Sequence, residues 1–506
     1  MNYNFLEVKM NKIKRKEGIK RVVVLLIILT ITTMISIFGN ASIFNKFKCL
    51  NTDISVWTNI AKQIQNGKVI YRDIFDHKGP ILYFFYYIGY FIGKINGIAF
   101  IDFICIFIDS VMIYRIAKKM NLGRLKSILT TLICMFLIPI ICFGNSENPC
   151  SESLSLPFIL ISLYAFINFI YDKKFGKWES IYTGICFGIV AMIRVNLAIL
   201  WVVFEIYIYM QLIKQKEYKR LINIIFFSVI GVCIVIFPII IYLVSNNAFK
   251  NFIDAYFLLN IKYSTIREYS TYETVLYFII FTWGIFILPL VLSVILVIVF
   301  FKKKEKKIII LNFLYTIFIT YLIISPGRKY PHYMIPLVST MVIPIVFMLK
   351  NIKIDKRLIF MMYIIVFLFL CIMGYDQIQI YNSDEWTANQ YDEYSKLINT
   401  YSEKNDSILQ IGKKTQIYLW ANRSYNGKYF FQIPFILYDE EYEKQFIEEV
   451  KYCKPKIILN FLEELEELDN KDNINEIEKK FKEDIKEIIE NKYIEINDFL
   501  YVRREE

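Results

Sequence analysis

Histidine is nearly missing from this chain: 506 residues contain two, His77 and His332. There is no CxxC pair, no internal repeat and no low-complexity linker. The nine cysteines fall mostly inside apolar runs and form neither a zinc nor a disulfide pattern, so they read as small packing residues. At 56% hydrophobic and 17% aromatic, the composition excludes disorder and argues against a soluble enzyme. Apolar runs of roughly 20 residues recur, the length that crosses a bilayer. The expected class is a polytopic α-helical membrane protein.

Acidic charge is scarce in most of the chain. The net charge of +12 divides into −11 for residues 375–506, with 29 acidic and 18 basic residues, and +23 for the rest. The basic excess sits in short loops between apolar runs, where it reports topology rather than nucleic-acid binding. The basic arm before Arg21 places the first segment as an uncleaved anchor with its N-terminus in the cytoplasm. Alternation of lysine-rich loops then gives eleven spans: 21–38, 98–116, 125–143, 154–171, 180–193, 197–213, 221–244, 273–301, 308–324, 333–349 and 358–374.

Residues 1–374 are thus expected to form a transmembrane domain, with an external loop at 41–97. Residues 375–506 form a small extracytoplasmic α/β domain. Its strands are expected at 407–411, 456–460, 493–496 and 499–502, and its amphipathic helices at 440–452 and 474–491. In the external loop, Ile54 to Gln65 has helical spacing and Asn66-Gly67 ends it. Pro80 then opens a short aromatic segment that reads as an interfacial or re-entrant helix.

The unusual polar groups at span ends all face one side under this topology: Asp53, Arg72, Asp73, Asp76, His77, Lys78, Glu147, Glu152, Arg194, Asn196, Arg328, Tyr330 and His332. Inside loops carry plain lysine runs. A site on the outer face has no ATP or nucleotide-sugar to use, so its activated donor would be carried by a lipid. The residue types suit glycosyl transfer from a lipid-linked phosphate sugar. A carboxylate, Asp53, can take the proton of an acceptor hydroxyl. Lys78, Arg194, Arg328 and His332 can hold the leaving phosphate. Plainer readings stand beside these: Asp53 as a helix cap, Arg72 to Lys78 as an ion-pair network, Glu152 as a cap, Arg194 snorkelling, and Arg328 and His332 touching headgroups.

The run GKVIYRDIFDHKGPILYF, with Gly67, Tyr71, Arg72, Asp73, Asp76, His77, Lys78, Gly79 and Pro80, resembles a run of bacterial GT-C superfamily glycosyltransferases of the family 39 kind. Protein O-mannosyltransferases and the aminoarabinose transferase of lipid A are the best-known relatives. Arg194-Val195-Asn196 and the segment from Gly327 to Tyr333 also resemble pieces of such proteins. The resemblance implies an acid after the first span, matched by Asp53, and a second acid near the fourth, matched by Glu147 or Glu152. It implies site-shaping roles for Asp73 and Asp76 and donor-phosphate contacts from Arg72, His77, Lys78, Arg194, Arg328 and His332. Many members carry two adjacent acids where this chain has Thr52-Asp53.

The expected activity is an inverting transfer from a polyprenyl-phosphate sugar to a glycan, lipid or protein acceptor at the outer face of the bacterial cytoplasmic membrane. The expected partners are that donor, membrane lipids and the acceptor, with no nucleic acid. No cofactor is fixed by the sequence, and a divalent metal stays open. The alternative is a transporter or flippase of lipid-linked glycans, for which Asp102, Asp109 and Glu205 are the deep acids.

Overall fold

A computed structural model describes the chain except residues 1, 40–51, 142–147, 266, 283, 301–304, 354, 384, 434, 463–471 and 506. The helical part runs α1 (Asn2–Gly39), α2 (Thr52–Gln65), α3 (Pro80–Lys119), α4 (Arg124–Ile141), α5 (Ser151–Asp172), α6 (Lys177–Ala191), α7 (Ile199–Lys214) and α8 (Tyr218–Ser245). It continues through α9 (Phe249–Phe252), α10 (Leu259–Thr265), α11 (Thr271–Phe281), α12 (Leu288–Phe300), α13 (Lys306–Ile324), α14 (Leu337–Asn351) and α15 (Lys356–Ser383). Among the described residues, seven stretches are long and apolar enough to cross a membrane: Glu17–Ile37, Pro80–Lys119, Arg124–Ile141, Ser151–Asp172, Val195–Lys214, Tyr218–Ser245 and Lys306–Ile324. Four shorter apolar helices, Thr271–Phe281, Leu288–Phe300, Leu337–Asn351 and Phe360–Phe369, accompany them.

Of three details, the first and third differ from the sequence expectation and the second agrees with it. The span expected at 273–301 is broken into α11 and α12. Thr282 makes the break tolerable: its Oγ1 donates to the Phe278 carbonyl (2.6 Å) and accepts from the Phe286 N–H (3.0 Å), replacing helical bonds. Second, α3 is a hairpin rather than a rod. Its backbone leaves helical geometry at Gly93 and Lys94, with φ +53° at the lysine. Eight residues of straight helix would hold Gly89 and Gly97 about 12 Å apart, yet a Cβ on Gly97 would lie 1.9 Å from the Gly89 carbonyl oxygen. The two arms therefore meet backbone to backbone, and the first is the short aromatic helix expected after Pro80. Third, α15 runs on to Ser383, so position 374 lies inside a helix.

The C-terminal module carries α16 (Glu385–Tyr401), β1 (Ile408–Ile411), α17 (Gln416–Trp420), α18 (Glu440–Cys453), β2 (Ile457–Asn460), α19 (Asp472–Lys492), β3 (Tyr493–Asn497) and β4 (Leu500–Arg503). The sheet order is β1-β2-β4-β3, with β1 parallel to β2 and the other pairs antiparallel. Ile408, Leu409 and Ile411 of the edge strand β1 and Ile457 to Leu459 of the central strand β2 are fully buried, so both strands are covered on both faces.

This module is docked on the chain's opening loop. On α2, Asn59 Nδ2 donates to the Thr415 carbonyl (3.0 Å) and Lys62 Nζ to Asn422 Oδ1 (2.9 Å). Lys68 Nζ donates to the carbonyls of Tyr425 (2.9 Å), Asn426 (3.3 Å) and Gly427 (3.3 Å). The Phe75 N–H donates to the Lys428 carbonyl (3.0 Å), and the Phe75 ring packs on Tyr429 and Tyr442.

Candidate functional site

The loop from Asn66 to Pro80 is built by local rules before it meets anything else. Gly67, at φ +89°, stops α2. Tyr71 takes the left-handed conformation, φ +67°, and its N–H donates to the Ile74 carbonyl (2.8 Å). The Asp73 N–H donates to the Val69 carbonyl while the Val69 N–H donates to Asp73 Oδ2, both at 2.8 Å. This tight turn points Arg72 and Asp73 outward. There the guanidinium binds Asp73 through two 2.8 Å bonds and donates to the Asn246 carbonyl (3.0 Å). Arg72 and Asp73 thus shape and tether the turn.

The next four residues turn inward. Asp76 and His77 are 2% and 7% exposed. Asp76 Oδ1 accepts from the His77 N–H (2.7 Å) and lies 3.0 Å from His77 Nδ1. The imidazole packs on Phe435 (4.2 Å between centroids) and Tyr263 (5.8 Å). Burial, with the charge of Lys78 added, pushes His77 down to about 4 despite the opposing pull of Asp76. Burial also opposes ionisation of Asp76, but its hydrogen bonds to His77 and the nearby Lys78 outweigh that and hold its pKa below the usual value. The pair at neutral pH is an Asp76 carboxylate accepting from the Nδ1–H of a neutral His77, which directs Nε2 as the basic nitrogen.

Gly79 brings this loop against the turn after α6. Its N–H donates to the Ile193 carbonyl (3.3 Å), and the Ile81 N–H to the Met192 carbonyl (3.1 Å). A Cβ at Gly79 would stand 2.0 Å from the Met192 oxygen, so only glycine permits the approach. Pro80 follows as the first residue of α3, where its missing N–H costs nothing. The result is that Lys78 stands near Arg194, the residue after Ile193.

Arg194 is ion-paired with Glu152 in the first turn of α5. It also donates to Asn196 Oδ1 (3.2 Å) and lies over the Tyr333 ring (4.2 Å). Glu152 is 1% exposed, accepts from Ser151 Oγ (2.6 Å), and feels the charges of His332 and Lys78 as well as Arg194. Lys78 is half-buried. Segments distant in sequence therefore converge: the opening loop, the start of α5, the turn after α6, and the 3-10 turn Pro331–Met334. A small pocket of about 10 Å³ opens here, lined by Glu152, Arg194, Asn196, Leu197, Ile319, Leu322, Ile323, Tyr333 and Pro336.

Arg328 is fully buried beside this group, ion-paired with Glu268 and stacked 3.7 Å over Tyr263, the ring that also faces His77. Asp53 lies in the first turn of α2, half-buried, one residue into a helix that starts at Thr52. It acts within electrostatic reach of the Tyr86 hydroxyl, which donates to the Pro149 carbonyl (2.5 Å) two residues before Ser151. Glu147 lies outside the described residues. Among the described residues, no group of three or more His, Cys, Asp or Glu side chains is placed to hold a metal ion.

Other contributors carried weaker signals. Tyr256, Asn260 and Tyr263 share one face at i, i+4, i+7 spacing within a stretch whose aromatic composition reads as loop. Asn260 Nδ2 donates to the His77 carbonyl (2.7 Å), and Tyr256 donates to the Ala191 carbonyl. Phe435, from the C-terminal module, has no local signal at all.

Residues 9–362 match a family model described as "Putative competence-induced protein Ccs4 N-terminal domain". The chain belongs to this family. The Ccs4 N-terminal match covers the loop, α5 to α7 and the Pro331–Met334 turn, hence the whole polar cluster, and ends inside α15. The C-terminal module that seats Phe435 against His77 lies beyond it. No curated protein matches the chain.

Proposed function

We propose that the chain is a membrane glycosyltransferase of the GT-C kind, moving a sugar from a polyprenyl-phosphate donor to an acceptor at the outer face of the bacterial cytoplasmic membrane. The observation that carries this reading is the gathering of Lys78, Arg194 and His332 around Glu152, beside a small pocket lined by both polar and apolar side chains. A lipid phosphate calls for both kinds of group: cations for its head and aliphatic side chains for its chain.

In the reaction, Asp53 takes the proton of an acceptor hydroxyl. The freed oxygen bonds to the anomeric carbon from the face opposite the phosphate. The carbon–oxygen bond to phosphate breaks, and its electron pair leaves with the polyprenyl phosphate. Lys78 and Arg194 offset the charge that grows there. Glu152 holds Arg194 in place rather than acting as the base, because its carboxylate is buried in that ion pair. The proposed topology has eleven crossings, adding α6, the broken α11–α12 pair, α14 and α15 to the six spans in α1, α3, α4, α5, α7 and α8 and the span in α13.

The test is the full chain in lipid nanodiscs with a panel of polyprenyl-phosphate sugars, following release of polyprenyl phosphate by mass spectrometry. Wild-type protein should release it, and Asp53→Asn should fold to the same yield while transferring nothing. Normal transfer by that variant would remove Asp53 from the mechanism. Absence of release across the panel would remove the reading. Buried Asp102 and Asp109 in α3, the latter with an Oδ1 that accepts no hydrogen bond, favour transport as the second reading. Movement of labelled lipid into sealed vesicles without product would select it.

A further inference from the structure

Outside the cluster, a cleft of about 490 Å³ lies between the membrane part and the C-terminal module. This is within the range of small-molecule sites, roughly 300–1,000 Å³. One wall is the helical stretch 249–265, which supplies Lys250, Asp254 and Lys262. The other is the start of α18, which supplies Asp439, Glu441 and Tyr442. Phe75 and Lys428, joined through their backbones, also line it.

Three features define what this cleft can take. The chain carries +12 overall, yet the lining holds three lysines and three carboxylates and is formally neutral. An anionic ligand would want a basic excess and a cationic one an acidic excess. Second, one pair of these charges is spent across the cleft: Lys262 bonds Asp439 at 2.8 Å and ties the two walls together. Asp254 and Lys428 remain within electrostatic reach of each other, and Glu441 is exposed. Third, Tyr442 stands half-buried in the wall, its ring backed by Phe75 at 5.1 Å, with Asp439, Asp254 and Glu441 all near its hydroxyl. Asp254 itself sits in the π-helical turn Ile253–Leu258, a distortion that tends to mark functional positions.

A braced aromatic face ringed by carboxylates, amides and ammonium groups suits a sugar. The ring's C–H face lies on the aromatic, and its hydroxyls both donate and accept. We propose that this cleft binds a neutral saccharide, and that this saccharide is the sugar end of the acceptor. The role as acceptor rests on the glycosyl-transfer reading; the binding does not. The geometry also links the cleft to the cluster. Phe75 in its lining precedes Asp76 and His77, and Asn260, in the helical stretch that forms one wall, holds the His77 carbonyl.

The experiment is saturation-transfer NMR on the full chain in nanodiscs. The probes are mono- to tetrasaccharides of glucose, galactose, rhamnose and N-acetylglucosamine, with a glycerol-phosphate oligomer and a neutral unstructured peptide as competitors. At least one neutral saccharide should receive saturation. Asp254→Asn and Glu441→Ala, both at accessible positions with little structural burden, should each weaken it about tenfold, the equivalent of about 1.4 kcal/mol. Tyr442→Ala should abolish it, with thermal unfolding recorded for each variant to confirm folding. No saccharide binding, binding unchanged in the two carboxylate variants, or binding only of the phosphate oligomer or the peptide would each overturn the proposal. Donor release by wild-type protein alone reports separately on glycosyl transfer. Saccharide binding without any donor release would leave the cleft standing and remove the transfer.

Discussion

Gly79→Ala is the smallest change that tests how the cluster is assembled. The added Cβ would stand 2.0 Å from the Met192 oxygen, 2.5 Å from its carbonyl carbon and 3.0 Å from the Ile193 oxygen. All three are backbone atoms, so no side chain can swing aside. Reaching even the 3.0 Å floor of real Cβ contacts requires the loop and the turn after α6 to part by about 1 Å. That parting stretches the Gly79 N–H bond to the Ile193 carbonyl, already 3.3 Å, and the Ile81 N–H bond to the Met192 carbonyl, 3.1 Å. At about 1 kcal/mol net each, their loss costs roughly 2 kcal/mol of stability. The functional effect should be larger than the stability effect, because Lys78 is carried on the moving loop and Arg194 on the turn it leaves. A misplacement of about 1 Å in such a pair can cost about 100-fold in rate. The assay pairs thermal unfolding in detergent with donor release in nanodiscs. A variant with wild-type melting and wild-type release would refute the claim that this contact positions Lys78.

Three further perturbations address separate parts. Arg194→Ala strands a carboxylate that is 1% exposed and should destabilise the protein by about 3–5 kcal/mol, whereas Glu152→Gln with Arg194 kept should cost less; melting temperatures of the two variants decide. His77 is held down at about 4 from its ordinary 6.5, so its contribution is whole above pH 6.5 and drains as pH falls towards 4, by roughly 3 kcal/mol in all. A pH series of unfolding should show that loss in wild-type protein and a flatter curve between those values in His77→Gln. Lys68→Met removes an ammonium that binds three consecutive carbonyls of the C-terminal module and should speed proteolytic release of that module several-fold, at a cost of about 1.5–3 kcal/mol. Release at the wild-type rate would mean that α2 and Phe75 alone hold it.

Much of the C-terminal module was readable because its strands and helices obey clean periods. The expected strands at 407–411 and 456–460 are observed at Ile408–Ile411 and Ile457–Asn460, and the helix at 440–452 as Glu440–Cys453. The inward run from Asp76 to Lys78 was readable as a concentration of charge. Its neighbours Arg72 and Asp73 show the limit of that reading. They lie within the same run, but the left-handed Tyr71 and the Val69–Asp73 turn point them elsewhere. Hydropathy found 273–301 as one apolar stretch, since the break at Thr282 changes hydrogen bonding without changing hydrophobicity. The docking of the C-terminal module left no trace in the sequence, because Lys68 and Asn59 bind backbone carbonyls that any residue could supply.

That docking constrains the proposed topology more tightly than helix length does. The opening loop follows α1, and the module that holds it follows α15, so both occupy one side and the crossings between them must be even in number. The same reasoning applies in steps. Glu152 at the start of α5 pairs with Arg194 just after α6, so α6 returns to the side that α5 left, although its 15 residues span only about 22 Å. Tyr263 at the end of α10 stacks with Arg328 just after α13, so α11, α12 and α13 together make an even number of passages. If α13 is one, the broken pair α11–α12 supplies the other as a single crossing. Arg194 lies over Tyr333 at the start of α14, and the module after α15 meets the loop beside it, so α14 and α15 cross together or not at all. Short apolar helices are thus tied to long ones. The ties are the same ion pairs and ring contacts that build the cluster, so a wrong topology and a wrong site would fail together.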